Sequence, residues 1–199
     1  MPDRYKSFSE LAKEELSGRD FCIRVRVRHG AAVVIAPHGG GIEPGTSEIA
    51  EAIAGDDLSF YAFEGTKLTG NRALHITSTR FDEPECVALV TASPRAISVH
   101  GEESKRQVIF LGGRDEAILR RVRDSLIARG FSVETHNRAS LQGCDRGNIC
   151  NQGKSGYGVQ LELSNGLRRS LFKSLSRTGR TCKTKRFGLF VAAVREGVL

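Results

Sequence analysis

Two periodicities of apolar residues alternate along this chain. Over residues 20–28, Phe21, Ile23, Val25 and Val27 alternate with Arg24, Arg26 and Arg28, which predicts a half-exposed strand. Ala31 to Ala36 is an unbroken apolar run, the pattern of a strand buried on both faces, and it ends at Pro37-His38-Gly39-Gly40-Gly41. Helical spacing appears over 7–16, where Phe8, Leu11, Ala12 and Leu16 share a side and Ser7 or Ser9 is placed to cap. It appears again over 115–129, where Ile118, Val122, Leu126 and Ile127 form a stripe that Gly130 ends. Another helix, with Thr46 or Ser47 as N-cap, runs to about Ala54. Apolar runs at 59–63, 74–77, 86–91, 96–100, 107–111, 131–135 and 156–163 predict further strands. Residues 165–175 read as helix, 176–186 as a basic loop, and 187–194 as a final strand or helix. Strands alternating with helices imply an α/β class with a mostly buried sheet. No repeat or linker divides the 199 residues, so one domain over 1–199 is expected.

Composition narrows the function classes. No apolar run approaches the roughly 20 residues that cross a bilayer, so no membrane partner is expected. The start of the chain, Met1-Pro2-Asp3-Arg4-Tyr5-Lys6, lacks the apolar core of a secretory signal, which predicts synthesis in the cytoplasm. Five cysteines at irregular spacing, with no CxxC, argue against a disulfide framework and against a cysteine zinc site. The net charge is +7. Its excess gathers at Arg168, Arg169, Lys173, Arg177, Arg180, Lys183, Lys185 and Arg186. Such a stretch attracts polyanions, nucleic acid or an acidic polymer alike, or is simply a solvated face. The absence of Trp and of any nucleic-acid motif counts against a nucleic-acid-binding domain.

Polar residues cluster at predicted strand ends. His38 closes one buried strand and Glu43 follows it. His100 closes a second, Ala96-Ile97-Ser98-Val99, and Glu162 lies within a third, Gly158 to Leu163. Open α/β sheets place their sites beyond the carboxyl ends of strands. Two imidazoles and a carboxylate make a catalytic zinc set with a position left for water. A further carboxylate is needed to move the water's proton, and Glu162, costly in an apolar stretch, is the candidate. Spacing alone leaves other readings open. A lone histidine is more often structural than catalytic, and the glycine loop could instead cradle a phosphate, although it lacks the P-loop lysine and hydroxyl.

The segments Pro37-His38-Gly39-Gly40-Gly41-Ile42-Glu43-Pro44-Gly45-Thr46-Ser47-Glu48, Leu74-His75-Ile76-Thr77-Ser78, Phe81-Asp82-Glu83-Pro84, Ser98-Val99-His100-Gly101, Asn148-Ile149-Cys150-Asn151 and Gly158 to Ser164 add a resemblance. In this order, over roughly residues 30–170, the chain resembles the phage and bacillar poly-gamma-glutamate hydrolases. The resemblance implies a three-layer α/β/α fold with a mixed sheet, like that of zinc carboxypeptidases. It implies zinc as cofactor, His38, Glu43 and His100 as its ligands, and Glu162 as general base. It also implies cleavage of gamma-linked amides in poly-gamma-glutamate, an anionic polymer that a basic surface would draw in. A small N-acyl-amino acid such as an N-acyl-glutamate is the alternative substrate.

One departure is that the first His and Glu stand five apart here, where carboxypeptidases have them three apart. The carboxypeptidase Asn-Arg pair has only Asn71-Arg72 in the matching order, and Asn151 is followed by Gln152. Candidate substrate contacts are therefore Arg168, Asn151, His75 and Asn71, with structural roles open for Arg168, Asn151 and His75. His29 and His136 read as surface residues. A monomer is expected, reaching an extracellular polymer through release by lysis.

Overall fold

The computed structural model describes residues 3–199. Seven strands form one mixed sheet: β1 (Phe21–Arg26), β2 (Val33–Gly40), β3 (Ser59–Gly65), β4 (Ala96–Glu102), β5 (Val108–Gly113), β6 (Ser132–Glu134) and β7 (Val159–Ser164). Their order is β1-β3-β2-β4-β7-β5-β6. The central strands β3, β2, β4 and β7 run parallel, while β1 and β5 pair antiparallel to β3 and β7. Six helices flank the sheet: α1 (Phe8–Glu14), α2 (Thr46–Ala54), α3 (Pro84–Ala92), α4 (Glu116–Ala128), α5 (Asn165–Leu171) and α6 (Lys185–Val198). None is long and apolar enough to cross a membrane.

Alternation along the buried strands divides the interior into two cores. Val34 and Ala36 of β2, Phe60 and Ala62 of β3, Ile97 and Val99 of β4, and Val159, Leu161 and Leu163 of β7 pack with α2, α4, α5 and α6. Val33 and Ile35, Tyr61 and Phe63, and Ala96 face the other way, onto Leu11 of α1, Leu89 and Val90 of α3, and Ile76 and Phe81. The result is the expected three-layer α/β/α arrangement. Pleat geometry puts Ser98, His100, Gln160 and Glu162 on this second face, away from the larger core.

The short apolar runs are where sequence periodicity misled. Residues 86–91 lie in helix α3, not a strand. Pro84 opens that helix, and the Glu83 carboxylate caps it by accepting from the N–H groups of Glu85 and Cys86. Its buried residues Cys86, Leu89 and Val90 fall at helical spacing, but the less buried Val87 and Ala88 fill the gap between them and make the run read as continuous. Residues 74–77 are not a strand either; a 3-10 turn over Asn71–Leu74 leads into an irregular segment. Helix α2 begins after Gly45 in the left-handed region rather than on a Thr46 or Ser47 cap. Those two hydroxyls instead serve the preceding loop: Thr46 Oγ1 donates to the Glu43 carbonyl at 2.9 Å, and Ser47 Oγ accepts from Gly40 N–H at 3.1 Å. The apolar end of the chain, left open between strand and helix, is helix α6.

Candidate metal centre and active site

Strand β2 does not stop at Pro37; it continues through His38 to Gly40 with a bulge. Ala36 pairs with Ala62 and Gly39 with Glu64, so three steps on β2 match two on β3. The extra residue reverses the pleat. His38, which strict alternation would send to the Ala36 side, turns instead to the face carrying His100. Proline is suited to this position because the bulge needs no ladder N–H from it. Gly40 at φ 62° and its close approach to Gly65, where a Cβ would lie 2.5 Å from the carbonyl oxygen, turn the chain toward Glu43. Glu43 N–H closes that turn on the His38 carbonyl at 2.9 Å.

Four buried groups meet on this face. His38 Nδ1 lies 3.1 Å from His100 Nδ1 and 3.4 Å from Glu43 Oε1, and His100 Nδ1 lies 3.8 Å from Glu43 Oε2. His38 Nε2 donates to the Ile76 carbonyl at 2.8 Å, so that Nδ1, when it carries no proton, presents its lone pair inward. Ser98 Oγ holds His100 Nε2 at 2.6 Å. Gly101 N–H donates to Glu43 Oε2 at 2.8 Å. Glu162 stands directly beside His100 in the β4–β7 register, and Gln160 Nε2 donates to its Oε1 at 3.0 Å. Asn148 in turn donates to Gln160 Oε1 at 2.8 Å, so an amide chain orients the carboxyl of Glu162.

The protonation states suit a cation. Burial alone would raise the Glu43 carboxyl, but the imidazoles of His38, His100 and His75 outweigh it and bring it to about 2. Burial, then the proximity of His38, pushes His100 down to about 3. Repulsion between a proton on His38 and one on His75, then burial, pushes His75 down to about 4. Glu162 moves the other way, well above the usual carboxylate range, through burial and the neighbouring Glu43 and Glu102 carboxylates. Metal ligands must present lone pairs, and this cluster presents them facing one another. Two donors bound tetrahedrally to zinc at about 2.0–2.1 Å stand roughly 3.3 Å apart, close to the spacings His38 Nδ1 keeps from His100 and Glu43. The residues present fit a zinc ion.

His75 joins this cluster in a way the sequence did not separate. Donor atoms of His38, Glu43 and His75 lie within 4.8 Å of one another. Its ring, however, stacks on His38 with centroids 4.0 Å apart and planes at 30°. Stacked rings cannot both direct an in-plane lone pair at one ion. The rings of His38 and His100, at 60° to each other, can. His75 therefore lines the cavity beside the cluster of His38, Glu43 and His100.

The cavity has a volume of about 430 Å³, and its mouth carries Arg72, Thr77, Glu103 and Arg138. A second cavity of about 300 Å³ shares Glu102 and Arg138 with it. Three candidate substrate contacts lie elsewhere. Arg168 is 3% exposed, and its guanidinium donates to the carbonyls of Leu163, Pro44 and Glu102 at 3.1, 2.8 and 3.0 Å. It staples together the ends of β7, β4 and the Glu43 loop and is not free to clamp a substrate; a Cβ on Gly101 would strike it at 2.7 Å. Asn151 is buried and bonded to the backbone of Gly143, Asp145 and Gly158. Asn71 bridges both backbone groups of Lys67. His136, read as a surface residue, is buried against Phe110 at 4.6 Å. Gln160, on the pleat face of Glu162, supports that carboxyl directly, and Asn148 does so through Gln160 while its Oδ1 accepts from Cys150 N–H at 3.1 Å in an Asx turn.

Comparison with known proteins follows the same lines. The model of the family described as poly-gamma-glutamate hydrolase matches residues 5–193. Among curated proteins of Bacillus subtilis (strain 168), the SPbeta prophage-derived UPF0714 protein YoqZ is 38% identical over 89% of this chain, which spans 65% of that protein's length. The UPF0714 protein YmaC is 36% identical over 100% of this chain and 84% of its own. A solved bacteriophage poly-gamma-glutamate hydrolase superposes with a TM-score of 0.95 at 31% identity, covering 99% of this chain and 97% of that one. A zinc-free apo structure of YndL superposes with a TM-score of 0.94 at 35% identity, covering 99% and 98%. This chain belongs to the poly-gamma-glutamate hydrolase family.

Proposed function

We propose that this chain is a zinc-dependent hydrolase of the gamma-glutamyl amide bonds of poly-gamma-glutamate. His38, Glu43 and His100 hold the metal, and Glu162 is the general base. The observation that carries this reading is the convergence of His38 Nδ1, His100 Nδ1 and the Glu43 carboxylate beside Glu162. Family membership supports hydrolysis, and the description of the YndL structure as zinc-free supports the choice of metal.

A zinc ion in this cluster supplies Lewis acidity and lowers the pKa of water. The chain's own residues do the rest. Glu162, fixed by Gln160, takes the proton of the attacking water as its oxygen bonds to the amide carbon. It then passes that proton to the nitrogen as the C–N bond breaks, so that the leaving glutamate departs as an amine. Arg72 and Arg138 at the mouth are placed to meet side carboxylates of the polymer. The second cavity continuing from the first favours an extended substrate over a small N-acyl-amino acid.

Metal analysis of the purified protein, with no metal added, and sizing of poly-gamma-glutamate after incubation test the reading together. About one zinc per chain, lost in His38→Ala and His100→Ala, and shortening of the polymer that a chelator stops are the expected results. Unchanged zinc in both variants overturns the ligand set. Cleavage of an N-acyl-glutamate but not of the polymer overturns the substrate.

A further inference from the structure

The N-terminal segment backs the wall of the cavity, bonded to the lining residues His75 and Thr77. Asp3 Oδ1 lies 2.7 Å from His75 Nδ1, and Oδ2 accepts from Thr77 N–H at 2.8 Å and from the Arg80 guanidinium at 2.7 Å. The Asp3 side chain is only 6% exposed. Tyr5 anchors the same segment in the second core, and Phe8 N–H donates to the Asp82 carboxylate at 2.6 Å. Residues 3–8 are thus fastened to both ends of the segment 75–82. Burial alone would raise the Asp3 carboxyl, but the hydrogen bonds from Thr77 and His75 outweigh it and hold it at about 2. Asp3 is an ionised acceptor.

A carboxylate only accepts, so His75 carries its proton on Nδ1 and presents Nε2 as a lone pair. Nε2 is 3.9 Å from Glu43 Oε1, at the cavity floor and not at its rim. Stacking on His38 turns its ring plane away from the point between His38 and His100. It is left as an acceptor facing whatever donor enters the reacting zone. A secondary amide brings one donor there, its own N–H.

We propose that Asp3 is a positioning residue of the active site: through His75 it fixes the tautomer whose Nε2 accepts the N–H of the scissile amide. The nature of the substrate rests on the hydrolase reading; the control of His75 by Asp3 does not.

The test has two arms. In the first, nitrogen-15 NMR of the histidine rings reports the His75 tautomer without substrate. Wild type is expected to show protonated Nδ1 and bare Nε2, and Asp3→Ala to mix the two tautomers. In the second, Asp3→Ala and His75→Ala each lower kcat on poly-gamma-glutamate by roughly tenfold or more, the size of one well-placed hydrogen bond, with KM moving less. The double variant is no worse than His75→Ala alone, because Asp3 acts through that ring. Arg80→Ala, which removes only the exposed partner of Asp3, stays within about twofold. Asp3→Asn, with a single acceptor oxygen for three donors, gives an intermediate loss and replaces Asp3→Ala if that variant folds poorly. Losses that multiply in the double variant, or a tautomer unmoved by loss of Asp3, overturn the proposal. If wild type leaves the polymer intact, the hydrolase reading falls, and the NMR arm still decides whether Asp3 governs His75.

Discussion

The cavity and the basic stretch 168–186 carry charge in opposite ways. In the cavity, Glu43, Glu102, Glu103 and Glu162 stand against Arg72 and Arg138, and the charged groups at its floor are buried and held by named partners. In the basic stretch, Arg169, Lys173, Arg177, Lys183 and Lys185 point to solvent, and none of them lines the cavity. Arg168 and Arg180 belong to that stretch in sequence only. Arg168 is bound to three carbonyls, and Arg180 is 7% exposed and pairs with Glu48 at 2.6 Å. A run of cations in sequence is therefore not one surface. Part of it is scaffold, part is a solvated face, and the charge that lines the cavity comes from other places in the chain.

The largest effect separating the two regions is expected at Glu162. Replacing it with Gln keeps size and the hydrogen bond from Gln160 but removes the proton acceptor. Hydrolysis should fall by on the order of 10²–10⁴ while zinc content stays near one per chain. Loss of metal instead would make Glu162 a ligand and reopen the role of Glu43.

Arg168→Met comes next, and its readout is stability. Removing the guanidinium takes its three hydrogen bonds from the carbonyls of Leu163, Pro44 and Glu102. Hydrogen bonds to charged groups are worth about 1.5–3 kcal/mol each, less what the Met side chain regains by packing. A loss of roughly 2–4 kcal/mol in denaturant unfolding is expected. If the variant keeps wild-type stability and only KM rises, Arg168 is a substrate clamp after all.

The same contrast explains what the sequence made legible. Buried parallel strands are written as apolar runs, so β2, β4 and β7 could be placed, and with them His38, His100 and Glu162. The bulge that aims His38 left no mark beyond Pro37 and the glycines, because one extra residue changes direction without changing composition. Asn71 and Asn151 are candidates through the carboxypeptidase Asn-Arg pair, and a bare asparagine does not reveal that its amide is taken up by backbone, that of Lys67 for Asn71 and of Gly143 and Gly158 for Asn151. The pairing of Asp3 with His75 spans 72 residues and was equally invisible. Helix α3 reads as a strand because Val87 and Ala88, on its less buried side, are apolar too and hide the helical spacing of Cys86, Leu89 and Val90.

The smallest expected effect is the one that tests the basic face directly. Arg72→Ala and Arg138→Ala alter the cavity mouth, where Arg72 faces Glu103 at 3.6 Å across an exposed pair. Each should raise KM for the polymer several-fold, since a charge-assisted contact of about 1 kcal/mol corresponds to a factor of about five. Charge reversal at Lys173, Arg177 and Lys183 changes the long-range field, and locally removes only the Arg177 bond to the Thr66 carbonyl and the Lys183 contact with the Phe187 ring, both remote from the cavity. Exposed charges beyond roughly 10 Å are screened at 0.1 M salt, so this triple variant should lower kcat/KM about two- to threefold in dilute buffer and not at all at 0.5 M. Turnover at saturating polymer should not change, because no step at the cavity floor involves those side chains. A loss that persists at high salt would mean the polymer lies across the basic stretch in direct contact. A mouth variant whose effect vanishes with salt would mean that Arg72 and Arg138 steer the polymer rather than hold it, and the two regions would then share one job.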